Sequence, residues 1–130
     1  MIFALRIALA LLGVLFVSMS FGFLTNPGTA GGDFGITALG PQGMASIRAD
    51  LTAFFAVAGG AFLLGAWKRN GGALLVAAAL MAIAFAGRSI SVVFDGTYDG
   101  WFVPMGVEAV SVILALIGSR VLPEKIKPSP

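Results

Sequence analysis

The sequence predicts an all-α membrane protein in which four transmembrane helices form a bundle. Of its 130 residues, 58% are hydrophobic and only 11% are charged, whereas a soluble domain carries about 25% charged residues. The mean hydropathy is +1.00, and the apolar residues form four runs of about 20 residues, the length that crosses a bilayer as a helix. We therefore expect one four-span unit and no second domain.

The composition also excludes several kinds of metal site and catalytic reaction. The chain has no cysteine and no histidine, which removes disulfides, zinc sites built on these residues, iron–sulfur ligation and thiol or imidazole catalysis. No phosphate-binding glycine pattern or nucleophile elbow is present. We expect no cofactor, no metal site and no enzymatic activity. The net charge of +2 is small and the basic residues lie near segment ends, so no nucleic-acid partner is expected.

The first predicted span covers about residues 2–24 and is interrupted only by Arg6. A basic residue, an apolar run and then small residues are also typical of a secretory signal. The small residues here are interleaved with methionine and phenylalanine, which makes a poor cleavage site. We therefore favour a retained first span.

Residues 25–46 are predicted to be a loop outside the membrane. Glycine and proline at this density break regular structure, and the segment is longer than a typical connection. Two alternatives stay open. The apolar residues Phe34, Ile36, Leu39 and Met44 suggest that the loop folds back on the bundle as a cap, whereas the glycines also suit a mobile loop.

Three further spans are predicted at about residues 47–67, 73–94 and 102–122, followed by a short basic tail at 124–130. These spans and the first make up a transmembrane domain at 1–123. Trp67, Tyr98 and Trp101 are interpreted as anchors at the membrane surface.

Small residues recur along the second and third spans. In the second span, Ala53, Ala56 and Gly60 lie on one side, a spacing that lets helix backbones approach closely. The third span carries an alanine stripe formed by Ala78, Ala82 and Ala86. We expect both sides to form helix–helix contacts.

Lysine and arginine counts predict the orientation. Arg6 lies near the start of the first span, Lys68 and Arg69 lie between the second and third spans, and Arg120 lies at the end of the fourth. The other two loops contain aspartates between the spans. Because positive flanks stay on the cytoplasmic side, we expect both termini in the cytoplasm, the glycine-rich loop outside and the protein in the inner membrane.

Three charged residues fall within the spans at similar depth. At about 1.5 Å of rise per residue, Arg88, Glu108 and Asp50 lie ~9, ~8 and ~5 Å below the outer ends of their helices. An unpaired charge at mid-membrane costs roughly 2.5–3.5 kcal/mol, and the arginine fork suits a carboxylate. The sequence therefore predicts that Arg88 pairs with Glu108 first and with Asp50 second.

Further polar residues surround this predicted pair. Ser91 could extend the network, and Arg48 could pair with Asp95, with Asp99 or with lipid headgroups. The candidate residues of the polar cluster or ligand site are Arg48, Asp50, Arg88, Ser91, Asp95 and Glu108. Its charged members leave one surplus carboxylate, where a cation or proton could enter. The cluster could instead only hold the helices in register, or its charges could reach up to the membrane surface.

Several short motifs resemble a bacterial family of small four-span inner-membrane proteins that is catalogued only as a domain of unknown function. They are the run 43–51, Gly60, Gly65, the run 87–91 with Asp95-Gly96, and Val103-Pro104 with Glu108. The resemblance covers about residues 5–120. It implies a four-helix fold and marks Arg48, Arg88 and Glu108 as signature positions, and it implies no activity.

Three functions are compatible with the sequence. The first is a non-enzymatic protein that binds a lipid, a small amphiphilic ligand or a membrane partner at the charged cluster. The second is an accessory subunit that stabilises a larger membrane complex. The third is a small proton-coupled transporter that acts as a dimer, with Glu108 as the proton carrier. An open, apolar-walled cavity reaching Arg88 and Glu108 would favour ligand binding, and a closed pair would favour a structural role.

Overall fold

The computed structural model describes residues 1–123, and the predicted tail at 124–130 lies outside the described residues. The elements are α1 (Ile2–Thr25), α2 (Pro27–Asp33), α3 (Pro41–Ser46), a π-helical turn (Ile47–Leu51), α4 (Thr52–Lys68), α5 (Gly71–Phe94) and α6 (Phe102–Val121). No strand occurs in this part of the chain. The predicted all-α fold class is confirmed.

Four helical segments are long and apolar enough to cross a membrane. They are α1, the continuous segment Pro41–Lys68, α5 and α6. Their bounds lie close to the predicted spans, except that the second segment begins at Pro41 rather than near residue 47. The protein is therefore a multi-pass membrane protein with four spans.

Consecutive spans are neighbours in space. α1 packs mainly on α4, α4 on α5, and α5 on α6, and α6 closes the bundle against α1. The interior is filled by large apolar side chains such as Phe16, Phe62, Leu74 and Met81, all of which are buried. Many equally apolar residues face outwards, including Leu11 and others on every span. Such a surface suits lipid and would be unfavourable in water.

The closest helix approach joins α1 to α4 through glycines. A Cβ atom added at Gly59 would lie 2.6 Å from the backbone nitrogen of Val17 and 2.9 Å from the carbonyl oxygen of Gly13. The same face of α4 carries the buried aromatic residues of that helix, so packing of the core places Gly59 against α1.

The two predicted small-residue contacts are wrong for most of their members. Ala53, Ala56 and Gly60 are exposed, and so are Ala82 and Ala86 on α5, whereas Ala78 of the same stripe is buried. In lipid, helices associate through van der Waals packing, and the packed faces of α4 and α5 combine large side chains such as Phe62 and Met81 with small residues.

Arginine side chains close the inner end of the bundle. Arg6 donates from Nε to the carbonyl oxygen of Ala66 (2.8 Å) and from Nη2 to that of Trp67 (3.0 Å). Arg69 donates from Nε to the carbonyl oxygen of Leu122 (2.6 Å). The last carbonyl groups of a helix have no partner within the helix, so these bonds satisfy the ends of α4 and α6.

The glycine-rich segment is more regular than predicted. Pro27 and Pro41 begin α2 and α3, since a proline in the first helical turn loses no hydrogen bond. The ring of Phe34 lies 5.4 Å from that of Phe23 and 5.8 Å from that of Phe55. The prediction of an irregular loop is wrong for these two helices. Of the residues that suggested a cap, Phe34 packs on the bundle, whereas Leu39 is fully exposed.

Candidate functional site

A cavity of about 1000 Å³ occupies the outer half of the bundle. Its walls come from all four spans, and its mouth lies beneath the segment 32–35 and the loop 96–101. The lining residues on the spans include Leu15, Phe16, Met19, Phe54, Phe55, Met81, Ala84, Arg88, Ser91, Val92, Met105 and Glu108. Most of the wall is therefore aliphatic or aromatic.

The deepest lining residues are apolar. Met81 lies seven residues inward of Arg88 on α5, which corresponds to about 10 Å along the helix. Phe16, nine residues inward of the outer end of α1, also lines the cavity and is buried. Its ring centroid lies 6.0 Å from that of Phe55, which lines the wall nearer the mouth and packs against Phe34. The cavity thus has an apolar floor below the level of its charges.

The predicted ion pair between Arg88 and Glu108 is confirmed. Arg88 Nε lies 2.6 Å from Glu108 Oε1. Arg88 is six residues from the outer end of α5 and Glu108 is six residues from the outer end of α6, about 9 Å in each case. Because α5 and α6 are antiparallel neighbours, this equal depth brings the two side chains together.

The two partners are buried to different degrees. The side chain of Glu108 is 8% exposed, whereas that of Arg88 is 34% exposed. Both line the cavity. The ion pair uses Nε, so the terminal NH2 groups of the guanidinium are the part of Arg88 that a molecule in the cavity could contact.

The hydrogen-bonding capacity of this pair is not satisfied within residues 1–123. The Nε–H group of Arg88 does not point at the carboxylate, so the close contact is an ion pair without hydrogen-bond geometry. Both carboxylate oxygens of Glu108 are buried without a donor, as is the hydroxyl of Ser111 one turn further along α6. A buried carboxylate without donors is costly, and the guanidinium of Arg88 offsets that cost only by its charge.

The mouth of the cavity carries polar and aromatic residues from both outer segments. Asp33 at the end of α2 lines it, together with Tyr98, Asp99 and Trp101 from the loop between α5 and α6. From the sequence, Tyr98 and Trp101 are expected only as surface anchors, and Asp33 and Asp99 are not expected in a ligand site. A signal for them is that each outer segment places an aspartate beside a glycine.

The predicted second partner of Arg88 is wrong. Asp50 is exposed, and in the described part of the chain it forms no ion pair with Arg88 and does not line the cavity. It lies in the π-helical turn Ile47–Leu51. A π turn contains an extra residue, so the residues before it are rotated relative to the face that regular helical spacing from α4 would give them.

The other candidates divide into one that reaches the cavity and two that do not. Ser91 lines the cavity, although its hydroxyl accepts no hydrogen bond from Arg88 among residues 1–123. Arg48 donates from Nε to the carbonyl oxygen of Leu24 (3.0 Å), so its predicted pairing with Asp95 or Asp99 is wrong. Asp95 is exposed at the end of α5, outside the cavity lining.

A second, smaller cavity of about 270 Å³ adjoins the first. It is lined by Phe34, Ile36, Leu51, Phe54, Phe55 and Arg88. Arg88 and three phenylalanines line both spaces. Arg88 thus lies at the boundary between the two cavities and can be reached from either one. The large cavity has polar residues at its mouth, and the small cavity is mostly apolar.

Together these features define the chemistry of the cavity. The apolar floor has room for a hydrocarbon chain, and each CH2 group that enters it from water contributes about 0.8 kcal/mol. The ion pair above the floor presents a partly exposed guanidinium. The mouth offers two carboxylates and two aromatic rings.

No curated protein and no solved structure matched the chain. The chain does match a family described as a domain of unknown function, DUF4345, over residues 4–119. That match covers most of the chain and includes both Arg88 and Glu108. The chain therefore belongs to the DUF4345 family.

Proposed function

We propose that this protein binds an amphiphilic ligand, either a membrane lipid or a small molecule, in the outer cavity. Binding is non-enzymatic, with the polar part of the ligand at Arg88 and Glu108 and its apolar part against the floor. The observation that carries the proposal is an apolar-walled cavity that reaches a buried ion pair. A pair that served only to hold helices together would be better stabilised by close packing, because the cavity leaves its acceptors without donors.

The size of the cavity supports the same proposal. Pockets for small molecules typically measure about 300–1,000 Å³ and combine a mostly apolar lining with a few polar groups. The cavity of about 1000 Å³ lies at the upper end of that range. It suits one headgroup with an attached hydrocarbon chain.

The proposal includes a location. We place the protein in the inner membrane of a bacterium, with both termini in the cytoplasm, because Arg6, Lys68, Arg69 and Arg120 lie at one end of the bundle. The cavity then opens on the outer side. The chain has no cysteine, so a Thr97→Cys variant gives a background-free test. It should react with an impermeant maleimide in intact cells, and an Asn70→Cys control should react only after permeabilisation. The reverse pattern would contradict the orientation.

The test of ligand binding uses purification from native membranes in a mild detergent, followed by mass spectrometry of the bound small molecules. An Ala84→Phe variant fills the cavity, because Ala84 lines it. Ala82→Phe is the matched control, since Ala82 is exposed on the same helix outside the cavity lining. We expect the native protein and the control to retain the same enriched amphiphile and Ala84→Phe to lose it several-fold.

The same preparation separates the alternatives. An identical mixture of bulk lipids on all three proteins would contradict the proposal. Stoichiometric recovery of one membrane protein with all three would instead favour an accessory subunit. A transporter needs a route through the inner half of the bundle, where Gly118 packs against Leu9 and Leu74, so no observation favours that function.

A further inference from the structure

We infer that the ligand carries an ammonium group, as a zwitterionic or cationic amphiphile does. This inference rests on the proposed function and deepens it by naming the chemical class of the ligand. Two features of the cavity support it: its charge and its aromatic lining.

The charge of the cavity is negative. Its lining contains one guanidinium, that of Arg88, and three carboxylates, those of Asp33, Asp99 and Glu108, a net formal charge of −2. The arginine is already paired with Glu108, so the two mouth aspartates are the charges that remain unbalanced. A cleft lined by one sign of charge concentrates ligands of the opposite sign, so the mouth attracts cations and repels anionic headgroups.

The ion pair makes the cavity unfavourable for a purely anionic headgroup. Arg88 is the one cation among the described lining residues, and Glu108 neutralises it, with Nε 2.6 Å from Oε1. The carboxylate oxygens of Glu108 have almost no accessible surface. An ammonium group, which offers up to three N–H donors, therefore has the mouth carboxylates of Asp33 and Asp99 as its partners.

The aromatic lining favours the same group. Tyr98 and Trp101 line the mouth, and Phe54 lines the wall beside Arg88. A cation over an aromatic face is attracted by the negative face of the ring, more strongly where water is excluded. The same rings also cover the upper part of a hydrocarbon chain that extends down to Phe16 and Met81.

A phosphodiester beside the ammonium fits this scheme, because it can accept hydrogen bonds from the terminal NH2 groups of Arg88. The shared chemistry is an ammonium on an apolar body. It can come from an amine-bearing membrane phospholipid or from a water-soluble amine, and the probes below distinguish the two sources.

The test uses Trp101 as a reporter at the cavity mouth. The chain has two tryptophans, and Trp67 is exposed at the other end of the bundle, so a Trp67→Phe background isolates the signal. In dodecyl maltoside, this protein is titrated with lysophosphatidylethanolamine and lysophosphatidylglycerol of identical acyl chain, and with phosphoethanolamine, which has no chain. We expect the ethanolamine lysolipid to bind about tenfold more tightly than the glycerol lysolipid, a difference of ~1.4 kcal/mol, and phosphoethanolamine to bind far more weakly.

Three charge variants test which carboxylates cause the preference for the ethanolamine headgroup. Glu108→Gln and Asp99→Asn should each reduce the preference for the ethanolamine headgroup several-fold. Asp99 lies in an exposed loop, so its variant keeps the test valid if Glu108→Gln does not fold. Asp50→Asn removes an equal charge on the same side of the membrane outside the cavity, and it should leave the preference unchanged.

The contrary outcomes separate this inference from the proposed function. Equal or tighter binding of the glycerol lysolipid, if Ala84→Phe abolishes it, would overturn the ammonium inference and support amphiphile binding. Phosphoethanolamine binding as tight as that of its lysolipid would overturn the need for an apolar chain. No response of Trp101 to any probe would overturn both proposals.

Discussion

At the inner end of the bundle, arginines close the helix termini and glycines bring the helices into contact, whereas at the outer end the helices part around a cavity. Gly65 and Gly118 both pack against Leu74 at the inner end. Gly87 and Gly106, near the outer ends of α5 and α6, have no neighbour within 4 Å of an added Cβ atom. These four glycines of the spans therefore differ: Gly65 and Gly118 are packing positions, and Gly87 and Gly106 lie in open space.

This difference indicates a division of labour. The inner half holds the four spans at fixed positions, and the outer half uses that rigidity to keep a large cavity open beside an ion pair. A site built on a rigid scaffold binds its ligand with a smaller loss of conformational entropy. Substitutions in the inner half should therefore change stability, and those in the outer half should change ligand binding.

The largest expected effect comes from the contact between α1 and α4. Gly59→Val places side-chain atoms against the backbone of Val17 and Gly13, and neither backbone can move without separating the helices. Overpacking of this kind costs about 3 kcal/mol or more, which we expect to see as reversible unfolding in dodecyl sulfate at a much lower detergent fraction.

The adjacent residue provides a matched control for that substitution. Gly60 has no neighbour within 4 Å of an added Cβ atom, so Gly60→Val should unfold almost like the native protein. Equal destabilisation by the two variants would mean that the loss comes from helix propensity rather than from packing.

The second-largest expected effect on stability concerns two arginines that donate hydrogen bonds to helix ends. Arg6 makes two hydrogen bonds to the end of α4, and Arg48 makes one, exposed, to the end of α1. Because hydrogen bonds to charged groups contribute more than neutral ones, we expect Arg6→Gln to lower the free energy of unfolding by about 2 kcal/mol. Arg48→Gln should lower it by roughly half as much. Thermal unfolding in dodecyl maltoside, monitored by circular dichroism, measures the loss of stability in each variant. A larger loss for Arg48→Gln than for Arg6→Gln would contradict the proposed difference between the two ends.

A smaller effect is expected at the ion pair. Glu108→Gln removes the charge that faces Arg88, but Arg88 is one-third exposed and the contact lacks hydrogen-bond geometry. We therefore expect a loss of only about 1 kcal/mol, below that of a fully buried pair. A double-mutant cycle with Arg88→Gln isolates the interaction between the two side chains. A coupling near zero would show that the pair contributes nothing to stability.

The sequence predicted the fold and the depth of the pair because both follow from simple periodicities. Four apolar runs of membrane-spanning length predict four spans, and the rise per residue predicts that Arg88 and Glu108 share a level. The lateral direction of a side chain is harder to predict. The exposed faces of Ala53 and Ala82 show that alanine spacing alone does not determine the side that packs.

The cavity itself could not be predicted from local patterns. It exists because the outer segments of the four spans separate while α2 and the loop after α5 cover the opening, and each of these facts depends on distant parts of the chain. Asp33 and Asp99 meet at one mouth only after the whole bundle is assembled. Phe34 indicated a cap, and the sequence left open what the cap would cover.

The smallest expected effect tests the residue that the sequence placed wrongly. Asp50 was predicted to be a partner of Arg88, whereas the π-helical turn leaves it on the exposed surface. Substitutions at exposed positions usually change the free energy of unfolding by less than about 0.5 kcal/mol. Asp50→Asn should therefore have the same melting temperature as the native protein in dodecyl maltoside. The double variant Asp50→Asn with Glu108→Gln should be no less stable than Glu108→Gln alone. If Asp50→Asn becomes destabilising only when Glu108 is replaced, then Asp50 pairs with Arg88 once Glu108 no longer does. That outcome would show that the outer end of the bundle can rearrange.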